Sequence, residues 1–291
     1  MRVALAQINT CVGDLEGNVD RCLAAIEIAR SQEADLVVLP EMAVPGYPPR
    51  DILYDRSFTE AVFEATIDLA RRASGGPPAV VGTLMPAKQR PPNHPGLHNA
   101  AVLCVGGEIQ TVAAKRLLPA YDVFFEPRWF LPGSPLPPIT IAGKRVGFLV
   151  CEDLWDKEYD IHPPAELVGA GAECLVCLAA SPYQRQIMAQ RLFHARRQQV
   201  PLIYVNLCGG NDELIVDGRS FGINHKGDVI SPLSGFVEEI KVVELENGSP
   251  HNSSAETWEE TLFQARVLGV RDFAEKNRLE RAFLGLSGGV D

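Results

Sequence analysis

The chain has 291 residues, enough for one large α/β domain or two small ones, and its 46% hydrophobic and 22% charged residues match globular usage rather than disorder. A formal net charge of −10 argues against a nucleic-acid backbone or an anionic membrane as the main partner. No apolar stretch approaches a membrane span, MRVALAQINT reads as a first strand and not a signal peptide, and seven cysteines without regular spacing fit a reducing cytoplasm.

In chain order, VALAQI predicts a strand, NVDRCLAAIEIARSQ an amphipathic helix and ADLVVLP a second strand. A helix over about residues 57–73 and the strand AVVGT follow. AAVLCV and EIQTVAAK flank Gly106-Gly107, a hairpin signal. RVGFLV, a helix after Pro163-Pro164, ECLVCLAA, a long helix over residues 184–199 and PLIYVNLC continue the alternation. Two further hairpin-like stretches carry Asp217-Gly218 and Lys226-Gly227-Asp228. This order predicts a layered α/β domain with mixed sheets that ends near residue 243. The polar, turn-rich ELENGSPHNSSAET predicts a linker, and Trp258, Leu262, Leu268 and Phe273 fall at helical spacing in a helix that runs up to RAFLGLSGGVD.

Three polar residues stand at the ends of apolar strands: Glu41 after DLVVLP, Lys115 after IQTVAA and Cys151 after VGFLV. The carboxyl ends of strands in α/β sheets collect functional groups, because the scaffold is rigid and the loops open to solvent. Each residue alone has an ordinary reading, a solvated strand end or a small core thiol. Together they form a complete set for attack on an amide. A thiol is a weak nucleophile until it becomes thiolate; a nearby ammonium lowers its pKa while a carboxylate can take its proton. The tetrahedral oxyanion needs positive charge or N–H donors, from Lys115 and the amide after Cys151, and the leaving ammonia needs the proton that Glu41 has taken. A Cys–His arrangement is the competitor, but none of the six histidines falls in a protease-like local signature, and His162, His194 and His225 sit in helical or hairpin contexts. The C-x-x-C of Cys174 and Cys177 lies in an apolar strand, where period two separates the two thiols, so core packing is expected there and no metal.

In order and context, Glu41, Lys115 and Cys151 resemble the Glu–Lys–Cys triad of the nitrilase (carbon–nitrogen hydrolase) superfamily. LPEMAVPGYPPRD, KRLLPAYDVFFEPRWF, GFLVCEDLW, AASPY and YVNLCGGNDELIVDGRSF narrow the resemblance to the glutaminase domains of glutamine-dependent NAD+ synthetases, over essentially the whole chain. The resemblance implies a nitrilase-like α-β-β-α sandwich in which Cys151 is the nucleophile, Glu41 the general base and acid and Lys115 the stabiliser of charge. It also implies that Glu126 holds Lys115 and the substrate amide, and that Tyr121, Glu152 and Ser181 contact glutamine. The sequence departs from the family pattern at Ala120, Phe125 and Asn211, and Arg185 is displaced from the basic position that follows the Ser-Pro.

The terminal LGLSGGVD is by itself only a glycine turn after an apolar run. In this company Ser287, Gly288, Gly289 and Asp291 resemble the start of the pyrophosphate loop of N-type ATP pyrophosphatases, whose backbone N–H groups close on phosphate. The resemblance therefore implies a hydrolase domain over 1–243, a linker and helix over 244–281 and a stub of a synthetase domain over 282–291. It implies no cofactor for the glutaminase reaction, ATP and Mg only in a full-length synthetase, glutamine as substrate, a synthetase domain as partner and a homo-oligomer. The rival readings are a stand-alone nitrilase-family amidase acting on another small amide, and a non-catalytic regulatory module.

Overall fold

The structure is a computed structural model that describes residues 1–246, 248, 250, 256–285 and 288. A first sheet is built from β1 (Arg2–Gln7), β2 (Leu36–Val38), β3 (Ala79–Pro86), β4 (Leu97–Val105), β5 (Glu108–Ala114) and β14 (Glu239–Glu244), in the order β14-β1-β2-β3-β4-β5. Its first three strands in sequence run parallel, and β4, β5 and β14 are antiparallel to their neighbours. A second sheet takes β6 (Ile139–Ile141), β7 (Lys144–Val150), β8 (Cys174–Ala179), β9 (Leu202–Asn206), β12 (Phe221–Ile223) and β13 (Val229–Ile230), in the order β13-β12-β9-β8-β7-β6, with β7, β8 and β9 parallel. A two-stranded hairpin, β10 (Cys208–Asn211) with β11 (Leu214–Asp217), stands apart.

Strand alternation decides what each face of the first sheet packs against. Val3, Leu5, Leu36, Val38, Val80, Ala101 and Leu103 join Val146, Phe148 and Val176 of the second sheet in one core. The intervening Ala4, Ala6, Val37, Ala79, Val81 and Val102 form another core with two helices, α1 (Leu15–Ser31) and α2 (Arg56–Arg72). Because both faces are covered, these strands read as continuous apolar runs rather than polar–apolar alternations. Beyond the second sheet lie α3 (Pro163–Gly169), whose Leu167 packs against Gly147, and α4 (Ile187–Arg196). The layers are helix, sheet, sheet, helix, the α-β-β-α sandwich that the resemblance implies.

A last helix, α5 (Trp258–Lys276), docks on the separate hairpin, where Ala265 and Leu268 pack with Cys208 and Phe236. Thr257 caps its start by accepting from Glu260 N at 3.2 Å, and the Glu260 carboxylate accepts from Thr257 N at 2.9 Å. At the other end Lys276 Nζ donates to the carbonyls of Thr10 and Gly210, both at 2.9 Å. Buried Asp272 accepts from Gly210 N at 2.8 Å and from Asn9 Nδ2 at 2.7 Å.

Three elements differ from the sequence expectation. The helix predicted over 184–199 is confined to α4, between Gln186 and Gln199, which both have positive φ. The last helix stops at Lys276: Arg278 is left-handed at φ 55°, and Leu279 N bonds Ala274 O at 2.8 Å, closing a Schellman turn without the usual glycine. Asp217-Gly218 is not a hairpin tip, since β10 and β11 turn at Asp212-Glu213 and Gly218 N instead reaches back to Leu207 O. Lys226-Gly227-Asp228 does join the antiparallel pair β12 and β13.

Candidate active site

Cys151 is the residue at which β7 ends and a short 3-10 turn, Cys151–Leu154, begins. Its φ of 44° lies in the left-handed region, which a residue with a Cβ occupies only when its surroundings impose it. Asp153 supplies that constraint. Its Oδ2 accepts from Val150 N at 3.0 Å, and its Oδ1 accepts from Arg116 N and Leu117 N, both at 2.9 Å. One buried carboxylate thus fixes the thiol's turn to the backbone that immediately follows Lys115. Burial pushes Asp153 up to about 6 against the pull of those three N–H donors.

Lys115 follows β5 and is 1% exposed, with its Nζ 2.9 Å from Glu41 Oε1 and 2.8 Å from Glu126 Oε1. Burial alone would lower its pKa, but the two carboxylates outweigh burial and hold it well above its ordinary value, so it stays an ammonium. Glu41 sits in the turn after β2, and its two oxygens are separately held: Asn99 Nδ2 donates to Oε1 at 2.6 Å and Ala180 N to Oε2 at 2.8 Å. That turn can lie against β3 only because residue 82 is glycine, where a Cβ would meet Pro40 O at 2.1 Å and Glu41 Cα at 2.6 Å. Glu126, in a 3-10 turn after Phe125, is raised to about 7 by burial, with Lys115 opposing. Tyr47 Oη donates to Glu126 Oε1 at 3.5 Å. The other Glu126 oxygen, Oε2, and Asn99 Oδ1 are buried acceptors with no partner among the described residues, the arrangement that an incoming amide NH₂ would satisfy.

The thiol is not held as a thiolate. Burial pushes the Cys151 pKa well above its ordinary value, the charge of Glu41 adds to this, and Lys115 only partly opposes them. The lowering of the thiol pKa that the sequence expects from a neighbouring ammonium is not found here, because burial and Glu41 outweigh Lys115. Removal of the proton by a neighbouring carboxylate matches the charges around the sulfur.

Beside this cluster is a cavity of about 740 Å³ lined by Tyr121, Glu152, Trp155, Tyr159 and residues of α4 and its N-terminal approach. Glu152 is buried, and Tyr121 Oη donates to both its oxygens at 3.0 Å while Tyr159 Oη donates to Oε1 at 2.9 Å. Burial raises the Glu152 pKa, and Lys115 and the two tyrosines pull it back. Ser181 is not among the cavity's lining residues. Its hydroxyl accepts from Arg191 Nε at 3.3 Å and Nη2 at 3.1 Å, and fully buried Arg191 is paired with Asp217 at 2.9 Å. Displaced Arg185 lies 5.4 Å over the Trp258 ring.

The structure therefore brings Glu41, Lys115, Glu126 and Cys151 to one buried point, sets Tyr121 and Glu152 on an adjoining wall and holds the Ser181 hydroxyl on Arg191. Cys174 and Cys177 are buried strand residues. His162 bonds Asp156 and His194 stacks 4.6 Å from Trp155, so neither is hydrogen-bonded to Cys151. Ser287, Gly289 and Asp291 lie outside the described residues, and Gly288 is an exposed bend. Asn99 and Asp153 were not singled out from the sequence, although a polar residue inside LHNAAVLCV and a second acid after the cysteine were available signals.

The sequence model of the family described as carbon-nitrogen hydrolase matches residues 2–249. A glutamine-dependent NAD(+) synthetase of Synechocystis sp. is 36% identical over 307 residues, covering 99% of this chain and 55% of that protein. The solved structure of a glutamine-dependent NAD+ synthetase from Acinetobacter baumannii superposes with a TM-score of 0.83 at 26% identity, over 94% of this chain and 52% of that one. An amidase from Nesterenkonia sp. superposes with a TM-score of 0.69 at 27% identity, over 85% of this chain and 93% of its own. The chain spans about half the length of the synthetases it matches.

Proposed function

This chain belongs to the carbon–nitrogen hydrolase family, and from that premise we propose that it is a glutaminase unit that hydrolyses the side-chain amide of glutamine to glutamate and ammonia. The observation that carries the reading is the buried meeting of Lys115 with Glu41 and Glu126 beside the buried Cys151 thiol. Glu41 takes the thiol proton as the sulfur attacks the amide carbon, and the carbonyl π pair becomes an oxyanion opposite Lys115 and the backbone N–H of Glu152. Collapse of that intermediate breaks the C–N bond, and the nitrogen leaves as ammonia with the proton from Glu41. The thioester on Cys151 is then hydrolysed by a water that Glu41 deprotonates, which returns glutamate and the thiol. Glu126 and Asn99 receive the amide NH₂ through their unpartnered oxygens and set the carbonyl against the sulfur.

The α-ammonium of glutamine pairs with Glu152, already oriented by Tyr121 and Tyr159. Ser181 acts through its place beside Ala180, whose N–H holds Glu41. The proposed division is a hydrolase unit over 1–243, a connecting segment with α5 over 244–281 and the start of a synthetase unit over 282–291. In the whole protein the ammonia would amidate nicotinic acid adenine dinucleotide in an ATP- and Mg-dependent step. Ser287, Gly288, Gly289 and Asp291 would open that phosphate loop, in a cytoplasmic homo-oligomer. The superposition on the Acinetobacter baumannii synthetase supports this over a stand-alone amidase, because it covers 94% of the chain at a TM-score of 0.83 whereas that on the Nesterenkonia amidase covers 85% at 0.69.

The test is ammonia release from a panel of amides by the wild type and Cys151→Ala. Release from glutamine is expected to drop to background in the variant, and a glutamine-like electrophile should add one adduct by intact mass, at Cys151. Equal activity of the two proteins, or an adduct at Cys174 or Cys208, overturns the site; preference for a non-glutamine amide overturns the substrate.

A further inference from the structure

The cavity beside Cys151 carries a charge pattern that the steps at the sulfur do not use. Two carboxylates line it, Glu152 and Glu158, and among its described lining residues there is one ammonium, Lys157. His194 lines it too, but burial and neighbouring cations lower its pKa, so it is neutral near pH 7. Lys157 Nζ stands 5.9 Å over the ring of Phe193, itself a wall residue. Its ion pair is with adjacent Glu158 at 3.7 Å, and with side chains 57% and 83% exposed that pair is weakly held.

Other nearby cations are committed elsewhere. Arg191 is fully buried on Ser181 and Asp217, and Arg197 bonds Asp156 at 3.0 Å. Glu152, by contrast, directly follows the thiol and is fixed by two phenols.

We propose that Lys157 is the specificity-determining anchor for the α-carboxylate of the substrate, facing the α-ammonium site at Glu152; this rests on the glutaminase reading. A zwitterionic amide carries opposite charges on one carbon, two methylenes from the carbonyl. A site that selects it needs an anion and a cation on neighbouring parts of one wall, close to the thiol. Glu152, which directly follows the thiol, and Lys157 line the same cavity from successive 3-10 turns, Cys151–Leu154 and Asp156–Glu158. A compact ammonium on a flexible stem can close on the carboxylate after the amide end has been seated.

Binding is read by calorimetry in the Cys151→Ala background with L-glutamine, glutaramic acid, which lacks the α-ammonium, and 4-aminobutanamide, which lacks the α-carboxylate. Lys157→Met should weaken the two carboxylate ligands by about tenfold or more relative to 4-aminobutanamide, the loss of one charge-assisted hydrogen bond. Lys157→Arg should restore most of the difference. In the active protein the same change should raise KM for glutamine with kcat largely kept. Unchanged glutamine binding in Lys157→Met, or equal weakening of all three ligands, overturns the anchor and leaves the glutaminase reading standing. A parent protein that binds 4-aminobutanamide as tightly as glutamine overturns both.

Discussion

Glu41, Lys115 and Glu126 do not cancel: two buried carboxylates share one ammonium, and the surplus charge is carried away from bulk solvent. Glu126 bears the consequence, raised by burial from 4.5 to about 7. Since the folded value is the higher one, this carboxyl's share of stability is full below about 4.5 and is lost as the pH rises through about 7. Glu126→Gln removes the titration, so the variant should gain on the wild type by a few kcal/mol between pH 5 and 8. Urea midpoints across that range check it, and a pH-independent difference would refute it. Glu126 follows only from the family resemblance, whereas Glu41, Lys115 and Cys151 were legible because Glu, Lys and Cys at strand ends make sense only as a set. Asn99, Asp153 and the Ala180 N–H were not, because their work is to hold other groups, and holding depends on which strand lies beside which. The thiol's raised pKa was equally hidden, since it comes from burial that strand-end spacing does not convey.

At the scale of elements, the turn carrying Glu41 rests directly on the backbone of β3 at Gly82. Gly82→Ala places a carbon where Pro40 O already lies, so the turn must lift. The expected cost is about 1–3 kcal/mol of stability. Ammonia release, measured well below the melting temperature, should fall by more than tenfold, because a misplacement of about 1 Å is enough for a loss near 10². Wild-type kcat in a destabilised Gly82→Ala would show that the turn does not depend on this contact. Most strands of the two sheets are readable from their apolar runs, and α1 and α2 from their period, but β6 and β14, which bury only one residue each, are not. The ends of α4 and α5 were not, because left-handed Gln186, Gln199 and Arg278 stop them where a glycine would have announced the stop. The β10–β11 hairpin is hidden in the sequence for a related reason: its turn, Asp212-Glu213, lacks the glycine that makes Asp217-Gly218 conspicuous.

The described residues form two large cores sharing the first sheet and a smaller cluster under α5, and the thiols report on all three. Cys22 and Cys104 lie in the core beneath α1 and α2, Cys174 and Cys177 in the core between the sheets and Cys208 under α5. Burial pushes Cys22, Cys104, Cys174 and Cys208 up to about 12. These five should alkylate only as fast as the molecule unfolds globally, while Cys11, partly exposed, reacts in the native state. Mass-resolved labelling in which any of the five keeps pace with Cys11 would show that one core opens independently. The order of β1 in its sheet, between β14 and β2, matters also for a chain still being made. The second strand to flank it, residues 239–244, is nearly the last of the sheet's material to leave the ribosome. At ordinary elongation rates of about 5–20 residues per second, one edge of β1 therefore waits roughly 10–50 s for its partner. Throughout that wait the nascent protein offers other chains an unpaired strand.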